Sequence, residues 1–428
     1  MKLLIKGCEI IDPAGKIAGK NDILIEDGLI AGIGKSLKAE GAEALNAAGL
    51  KAAPGLVDIH VHFRDPGYEY KENLLTGLRA AAAGGFTSVV CMPNTRPAID
   101  NVSIVKYLAE KAESIGLGRL FVAGAISKAR EGVELAEVGD MMTHGIVCVT
   151  DDGSPVMNAQ LMRRILEYTK MFKIPVMSHP EDKNLSGAGL MHEGLVSTKI
   201  GMRGIPAAAE TVMVERDIEL AALTGGQLHL THISAIGSVE AVRRAKARGI
   251  QVTCDTTPHH LSLTDEAVMT YDTATKVNPP LRPEKHRLAL IQGLLDGTID
   301  AIASDHAPHA FHEKETSYQD APFGLVGLET SFAVLNTALV RAGAMTLEQL
   351  IAKLTAGPAA ALGLNAGKIE IGAPADIAII DPDLEWTVDP DKFYSLGKNC
   401  PFRDWKVYGK VVYTVAGGRI IYRDGAIV

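Results

Sequence analysis

Leu56-Val57-Asp58-Ile59-His60-Val61-His62 is the stretch on which the reading of this chain turns. Short, apolar and β-branched, it reads as a buried strand. Its two histidines stand two residues apart, the spacing that puts both side chains on one face of a strand. Val57, Ile59 and Val61 are then expected to pack outward. Seven runs of similar texture follow, at 86–92, 119–125, 145–152, 175–179, 227–234, 250–257 and 299–306. Stretches of helical period lie between them, among them NLLTGLRAAAAGG, AQLMRRILEYTKMF, VERDIELAALTGG and SVEAVRRAKARG. Eight such units over roughly 250 residues or more are the size of a closed (β/α)8 barrel. No GxGxxG follows the first run, so the usual signal of an open doubly wound sheet is missing.

Outside these runs the texture changes. KLLIKGCEIID and DILIEDGLIAGIG near the start, and KIEIGAPADIAIIDP and YGKVVYTVAGGRIIYRDG near the end, alternate apolar and polar residues around Asp-Gly and Gly-Gly turns. Residues 1–52 and 367–428 are therefore expected to build one small sheet domain beside a barrel of residues 53–366. The 428 residues carry 43 Lys and Arg against 51 Asp and Glu, a formal net charge of −8. That balance fits a soluble α/β chain and argues against the clustered basic surface of a nucleic-acid binder. No apolar run approaches the roughly 18 residues that cross a bilayer. Lys6 and Glu9 interrupt the apolar stretch a signal peptide needs. Five scattered cysteines without a CxxC pair read as reduced buried thiols, and a cytoplasmic location is expected.

In a barrel of this type, function collects at the C-terminal ends of the strands. The first run ends in His60 and His62, the fourth in Thr150-Asp151-Asp152, the fifth in His179, the sixth in His232 and the eighth in Asp305. A lone histidine at a strand end is more often a hydrogen-bonded core residue than a ligand. Six such groups on five strand ends change the balance, because imidazole and carboxylate are the donors that zinc and similar ions accept. On the fourth run, outward Val147 and Val149 would turn Asp152 inward as a ligand and leave Asp151 as a structural acceptor. The same alternation sets His229 opposite His232, as a packed residue.

Asp58-Ile-His-Val-His-Phe-Arg-Asp-Pro-Gly67, Met92-Pro-Asn-Thr95, Thr150-Asp-Asp-Gly153, Asn278-Pro-Pro-Leu-Arg282 and Ser304-Asp-His-Ala-Pro-His309 span the whole barrel in order. Together they resemble the amidohydrolase superfamily and, within it, the bacterial dihydroorotases of the hydantoinase-related type. The resemblance implies an α/β fold, a (β/α)8 barrel with a small β-sandwich made by both termini. It implies zinc, with His60, His62 and Asp305 on one ion, His179 and His232 on a second, and Asp152 bridging. Many relatives bridge with a carboxylated lysine on the fourth strand. Here that strand ends in aspartate, which leaves one ion or two per subunit open.

The resemblance further implies reversible cyclisation of N-carbamoyl-L-aspartate to L-dihydroorotate, a step of pyrimidine biosynthesis. Zinc would lower the pKa of its bound water to about 7 and polarise the amide carbonyl. Asp305 is then the expected general acid/base. Arg64, Asn94, Asn278 and His309 are the expected contacts to the anionic substrate, His309 by donating to its carboxylate. The 306–328 segment reads as a loop or lid, with Phe323 and Gly324 offering backbone groups to the ring. His259 and His260 are expected as structural support, and His312, Glu313 and Lys314 as loop contacts. A hydantoinase-like cyclic amidohydrolase, with no need of Arg64 and Asn94, is the second enzyme reading. A third is an inactive barrel serving aspartate carbamoyltransferase, against which the complete ligand set argues. A homodimer is expected, with association with aspartate carbamoyltransferase as a further expectation and no nucleic-acid or membrane partner.

Overall fold

The structure is a computed structural model, and it describes residues 2–15 and 17–428. All eight expected runs are strands of one sheet: β1 Leu56–Val61, β2 Phe86–Cys91, β3 Arg119–Gly124, β4 Ile146–Val149, β5 Val176–Ser178, β6 Leu228–Leu230, β7 Val252–Thr256 and β8 Ala301–Ile302. They follow one another in chain order, every neighbouring pair parallel. The ring closes just past β8, where Val61 bridges His306 and the His62 N–H donates to the His306 carbonyl at 2.8 Å. Most strands stop short of the expected ends, because the residues at the barrel mouth leave the ladder to reach a common centre.

Helices cover the outside. Leu74–Ala83 starts at Asn73, whose side chain accepts from the Thr76 N–H, and Ala159–Thr169 starts at Asn158 in the same way. Leu78, Leu161, Ile165, Ile218 and Val242 from this shell pack against Leu56, Val61, Val89, Val122, Val176 and Leu230 of the strands. A separate cluster fills the interior of the ring: Val57, Ile59, Val90, Met92, Ala123, Cys148, Met177, Ala301 and Ala303. Val57 and Ile59 therefore do not pack outward as strict alternation had implied. The β1–β2 register slips between Asp58 and Val61. This bulge puts Ile59 and His60 on the same side, while the Asp58 carboxylate accepts from the His60 and Ser304 N–H groups, each at 3.1 Å. Val61 does face outward. The helix Ala356–Leu362 closes the floor of the barrel, with Leu362 in the interior cluster. Gly357 lies so close to β8 that a Cβ there would sit 2.3 Å from the Asp300 carbonyl.

Both termini join in a second, mixed sheet of nine strands. Lys51–Pro54 is its keystone, parallel to Glu9–Ile10 on one side and antiparallel to Ile377–Ile380 on the other. The two halves form a β-sandwich around Leu3, Ile5, Ile23, Ile25, Ile377, Ile379 and Val415. Only Gly55 separates this strand from β1, and a Cβ there would stand 2.1 Å from Thr87 Oγ1. All five cysteines are buried and free. Among the described residues no helix is long and apolar enough to cross a membrane.

The bulge carries a test. Ile59→Ala, which empties a fully buried interior site, is expected to cost about 2 to 5 kcal/mol in urea unfolding. A cost below about 1 kcal/mol would mean that the side chain is not part of a close-packed interior.

Candidate metal centre and active site

His60, His62, Asp152, His179, His232 and Asp305 converge at the barrel mouth, all of them buried. The Nε2 atoms of His60 and His62 lie 3.2 Å apart, and His179 Nδ1 lies 2.8 Å from His232 Nε2. Asp152 stands between these pairs. Its Oδ2 is 3.3 and 3.5 Å from Nε2 of His60 and His62, and its Oδ1 is 3.4 Å from both His179 Nδ1 and His232 Nε2. Asp305 Oδ1 is 3.1 Å from His62 Nε2 and 3.5 Å from His60 Nε2.

Three of the four rings are oriented from behind. His60 Nδ1 meets Thr231 Oγ1 at 2.7 Å, and that hydroxyl donates to Asp255 at 3.1 Å. His62 Nδ1 meets Asn94 Oδ1 at 2.8 Å, and His179 Nε2 meets Glu181 Oε2 at 3.1 Å. A proton held on the outer nitrogen leaves the lone pair of the inner one aimed at the centre, as in histidines that bind metal. His232 Nδ1 alone has no such partner among the described residues. Four nitrogens and two carboxylates in one dry space suit a divalent ion. The donor atoms of His60, His62 and Asp305 fall within 4.8 Å of one another, as do those of His60, Asp152 and His232. Sharing of His60 means that the two groups are not cleanly divided.

The carboxylates draw positive charge to this centre, which protons on the rings supply and a bound cation would replace. Burial works against charge on His60, yet Asp152 and Asp305 outweigh it and raise the ring to about 10. His179 is likewise raised to about 9 by Asp152 and Glu181 against the effect of burial. Burial opposes ionisation of Asp152 and Asp305 as well, but the surrounding imidazoles hold both below the usual carboxylate range. Two ionised carboxylates at this depth demand a cationic partner.

The backbone aims these groups by departing from strand geometry. His232, Asp305 and Arg64 have φ of 40°, 48° and 61°. For residues other than glycine this left-handed region costs on the order of 1 to 3 kcal/mol each, and it gathers at functional sites. His229 lies on the inner face of β6, bonded to Thr253 and Asp255 at 2.8 Å each, so it is packed as expected but on the opposite face from the one expected. His232 reaches the centre only through its left-handed turn. Asp151 points away and accepts from the N–H groups of Ile126 and Ser127 and from the Ser127 hydroxyl. Arg130 fixes the turn after β4 by donating to the Asp152 carbonyl at 2.5 Å.

A cleft of about 270 Å³ opens above the centre, and Arg64, Asn94, Asn278, His309, Phe323 and Gly324 all line it. A cavity of about 320 Å³ between barrel and sheet, lined by Glu329, Phe332 and Trp386, has no such convergence of ligands. Arg64 donates from Nε to the Pro308 carbonyl at 3.2 Å. Asn278 donates to Glu181 at 2.8 Å, and Lys183 neutralises that carboxylate at 2.5 Å. His309 lines the same cleft. Burial, then Arg64 and Lys314, push its pKa down to about 2. Its Nε2 N–H donates to the Phe323 carbonyl at 2.8 Å, while Nδ1 has no hydrogen-bond partner among the described residues.

The 306–328 segment is fastened rather than free. Lys276 donates to the Tyr318 and Gln319 carbonyls, and Lys314 to those of Thr273 and Pro322. Burial pushes the Lys314 amine down to about 7, and its two carbonyl bonds make it a loop contact as expected. His260 ties Thr257 to the Pro279 carbonyl, while neither ring nitrogen of His259 has a partner among the described residues. Sequence reasoning missed Glu181, Thr231, Asp255 and Arg130. Glu181 alone had a signal, two residues beyond His179 and so placed to share its face.

The orienting groups generate a prediction. Asn94→Ala and Glu181→Ala are each expected to weaken divalent-metal affinity by about 10 to 100-fold in chelator competition. Unchanged affinity in both would show that the rings do not depend on these partners.

Residues 52–421 match the amidohydrolase family. Over 429 residues the chain is 53% identical to the dihydroorotase of Pelotomaculum thermopropionicum, with 100% of both chains covered. It is 50% identical to that of Syntrophotalea carbinolica, with 99% of each covered. Among solved structures, the L-hydantoinase of Arthrobacter aurescens is similar with a TM-score of 0.89 and 25% identity, over 100% of this chain and 97% of that one. The dihydropyrimidinase of Brevibacillus agri follows the same fold, with a TM-score of 0.85 and 23% identity over 100% and 96%. With its convergent histidines and aspartates at the mouth of the barrel, the chain belongs to the amidohydrolase family, in the group of the dihydroorotases.

Proposed function

We propose that the protein interconverts N-carbamoyl-L-aspartate and L-dihydroorotate at a zinc centre, as a step of pyrimidine biosynthesis. The observation that carries this reading is one cleft bordered by both the convergent ligand set and Arg64, a cation suited to the substrate carboxylate. His60, His62 and Asp305 would hold one ion and His179 and His232 a second, with Asp152 between them offering one oxygen to each side. Zinc bound there supplies Lewis acidity at the ring carbonyl and lowers the pKa of water towards about 7.

The chain's own residues do the rest. Arg64, with Nε engaged on the Pro308 carbonyl, keeps the terminal nitrogens of its fork for the carboxylate of the substrate. Asn94 holds His62 through Oδ1 and keeps Nδ2 as a donor to the ring. Asp305 is ionised and borders the cleft. It accepts a proton from the attacking water and delivers it to the ring nitrogen as the amide C–N bond opens. In the closing direction it takes the proton of the attacking carbamoyl nitrogen and passes it to the departing oxygen.

The similarity to solved hydantoinases favours one competing reading, a cyclic amidohydrolase for uncharged rings. Arg64 separates the two. Arg64→Ala is expected to raise KM for dihydroorotate about 10 to 100-fold, the scale of a charged hydrogen bond, and to leave any hydantoin turnover little changed. Preferred turnover of hydantoins, or indifference of dihydroorotate turnover to this substitution, would contradict the proposal. Asp152→Ala is expected to lose metal and activity together, whereas Asp151→Ala mainly loosens the turn at Ser127. Metal analysis and steady-state rates of the two variants check this, and the reverse order would overturn the bridging role.

A further inference from the structure

The connection 388–405 joins two antiparallel neighbours of the terminal sheet, Ile377–Thr387 and Lys406–Ala416, by a long excursion rather than a tight turn. It runs onto the barrel mouth. Tyr394 and Ser395 N–H groups donate to Glu329 at 3.1 Å each, and Ser395 Oγ donates to Glu72 at 2.5 Å. Gly397 follows, so close to the wall of the cleft that a Cβ there would sit 2.6 Å from Pro308 Cβ. Asn399 comes next, and only 6% of it is exposed.

Every hydrogen-bonding group of the Asn399 side chain is committed to the two walls of the cleft. Nδ2 donates to the Ala307 carbonyl at 3.2 Å and to the Gly324 carbonyl at 3.0 Å. Oδ1 accepts from the His309 N–H at 3.1 Å, and the Asn399 carbonyl accepts from Val326 N–H at 3.0 Å. The walls lie at opposite ends of the 306–328 segment, paired where the Ala307 N–H donates to the Leu325 carbonyl at 2.7 Å, and the Asn399 amide braces that pairing from the side of the terminal sheet. His309 adds its bond to the Phe323 carbonyl, and Gly324 leaves no slack, since a Cβ there would meet the Ala307 carbonyl at 2.8 Å and His309 Nε2 at 3.0 Å. Lys276 and Lys314 fasten the outer part of the same segment, and the Lys276 carbonyl also accepts from the Gly324 N–H at 2.8 Å.

We propose that Asn399 is a positioning residue for substrate binding, through which the terminal domain sets the width of the cleft without touching substrate or metal ligands. The proposal rests on the reading that dihydroorotate binds between these walls. Pre-organised walls spare the ligand the cost of ordering them, so their loss falls on affinity. A purely structural amide would lower stability and active fraction instead, leaving KM unmoved.

The experiment compares Asn399→Ala, Asn399→Asp and Gly324→Ala with the parent protein in KM and kcat for dihydroorotate, metal content and Tm. Asn399→Asp keeps the acceptor for His309 and sets an oxygen against two carbonyls. Both Asn399 variants are expected to raise KM about tenfold, the scale of one ordered hydrogen bond, with kcat within about twofold and metal content unchanged. Unmoved KM in both, or a fall of kcat that follows Tm or metal loss, overturns the proposal, as does failure of both variants to fold. Gly324→Ala tests the underlying reading. If it raises KM while the Asn399 variants do not, only the positioning role fails. If all three leave KM unchanged, the assignment of the cleft fails with it.

Discussion

Asp152 lies buried between two pairs of imidazoles, with one carboxylate oxygen toward each pair, and the rest of the barrel mouth is arranged around that crowding. Groups of this kind in a dry space make a candidate site for a shared cation, because ionised carboxylates buried there need positive charge beside them. Everything near them has the task of holding donors in place. Thr231 with Asp255, Asn94 and Glu181 orient three rings, Arg130 fixes the turn that carries Asp152, and Asp58 braces the bulge beneath His60. Strain enters at the same positions, in the left-handed backbone of Arg64, His232 and Asp305.

The barrel supplies the rigidity that such strain requires. Its interior is filled by one apolar cluster and its floor by the helix Ala356–Leu362, so the centre rests on close packing rather than on a channel. The terminal sheet is tied to that frame at two levels. Gly55 joins it to β1 without a linker, and the connection 388–405 reaches the walls of the cleft. The cleft and the candidate metal centre beneath it therefore rest on segments from opposite ends of the chain.

Much of this was legible in the sequence, for identifiable reasons. β-branched runs such as 56–62 and 250–257 mark parallel strands because those strands are buried on both faces. The six converging groups stand at strand ends, where alternation and barrel topology together point to one site. What escaped was whatever depends on broken alternation or on distant partners. A two-residue period cannot foresee a bulge at Ile59, so Val57 and Ile59 were assigned to the wrong face, and His229 was misplaced once His232 reached the centre through φ of 40°. The bond from His309 to the Phe323 carbonyl joins two separate turns of the loop, which no local pattern marks. Asn399 lies 90 residues from the His309 amide it holds, with no local pattern to mark it.

Anomalous X-ray diffraction at the zinc edge, from crystals of the metal-loaded protein, addresses the centre most directly. Anomalous density is expected among His60, His62, Asp152, His179, His232 and Asp305, at about 2.0 to 2.2 Å from the ligand atoms, with Asp152 coordinating whichever ions are present. Density elsewhere, or an empty centre in protein that turns over dihydroorotate at full rate, would contradict it.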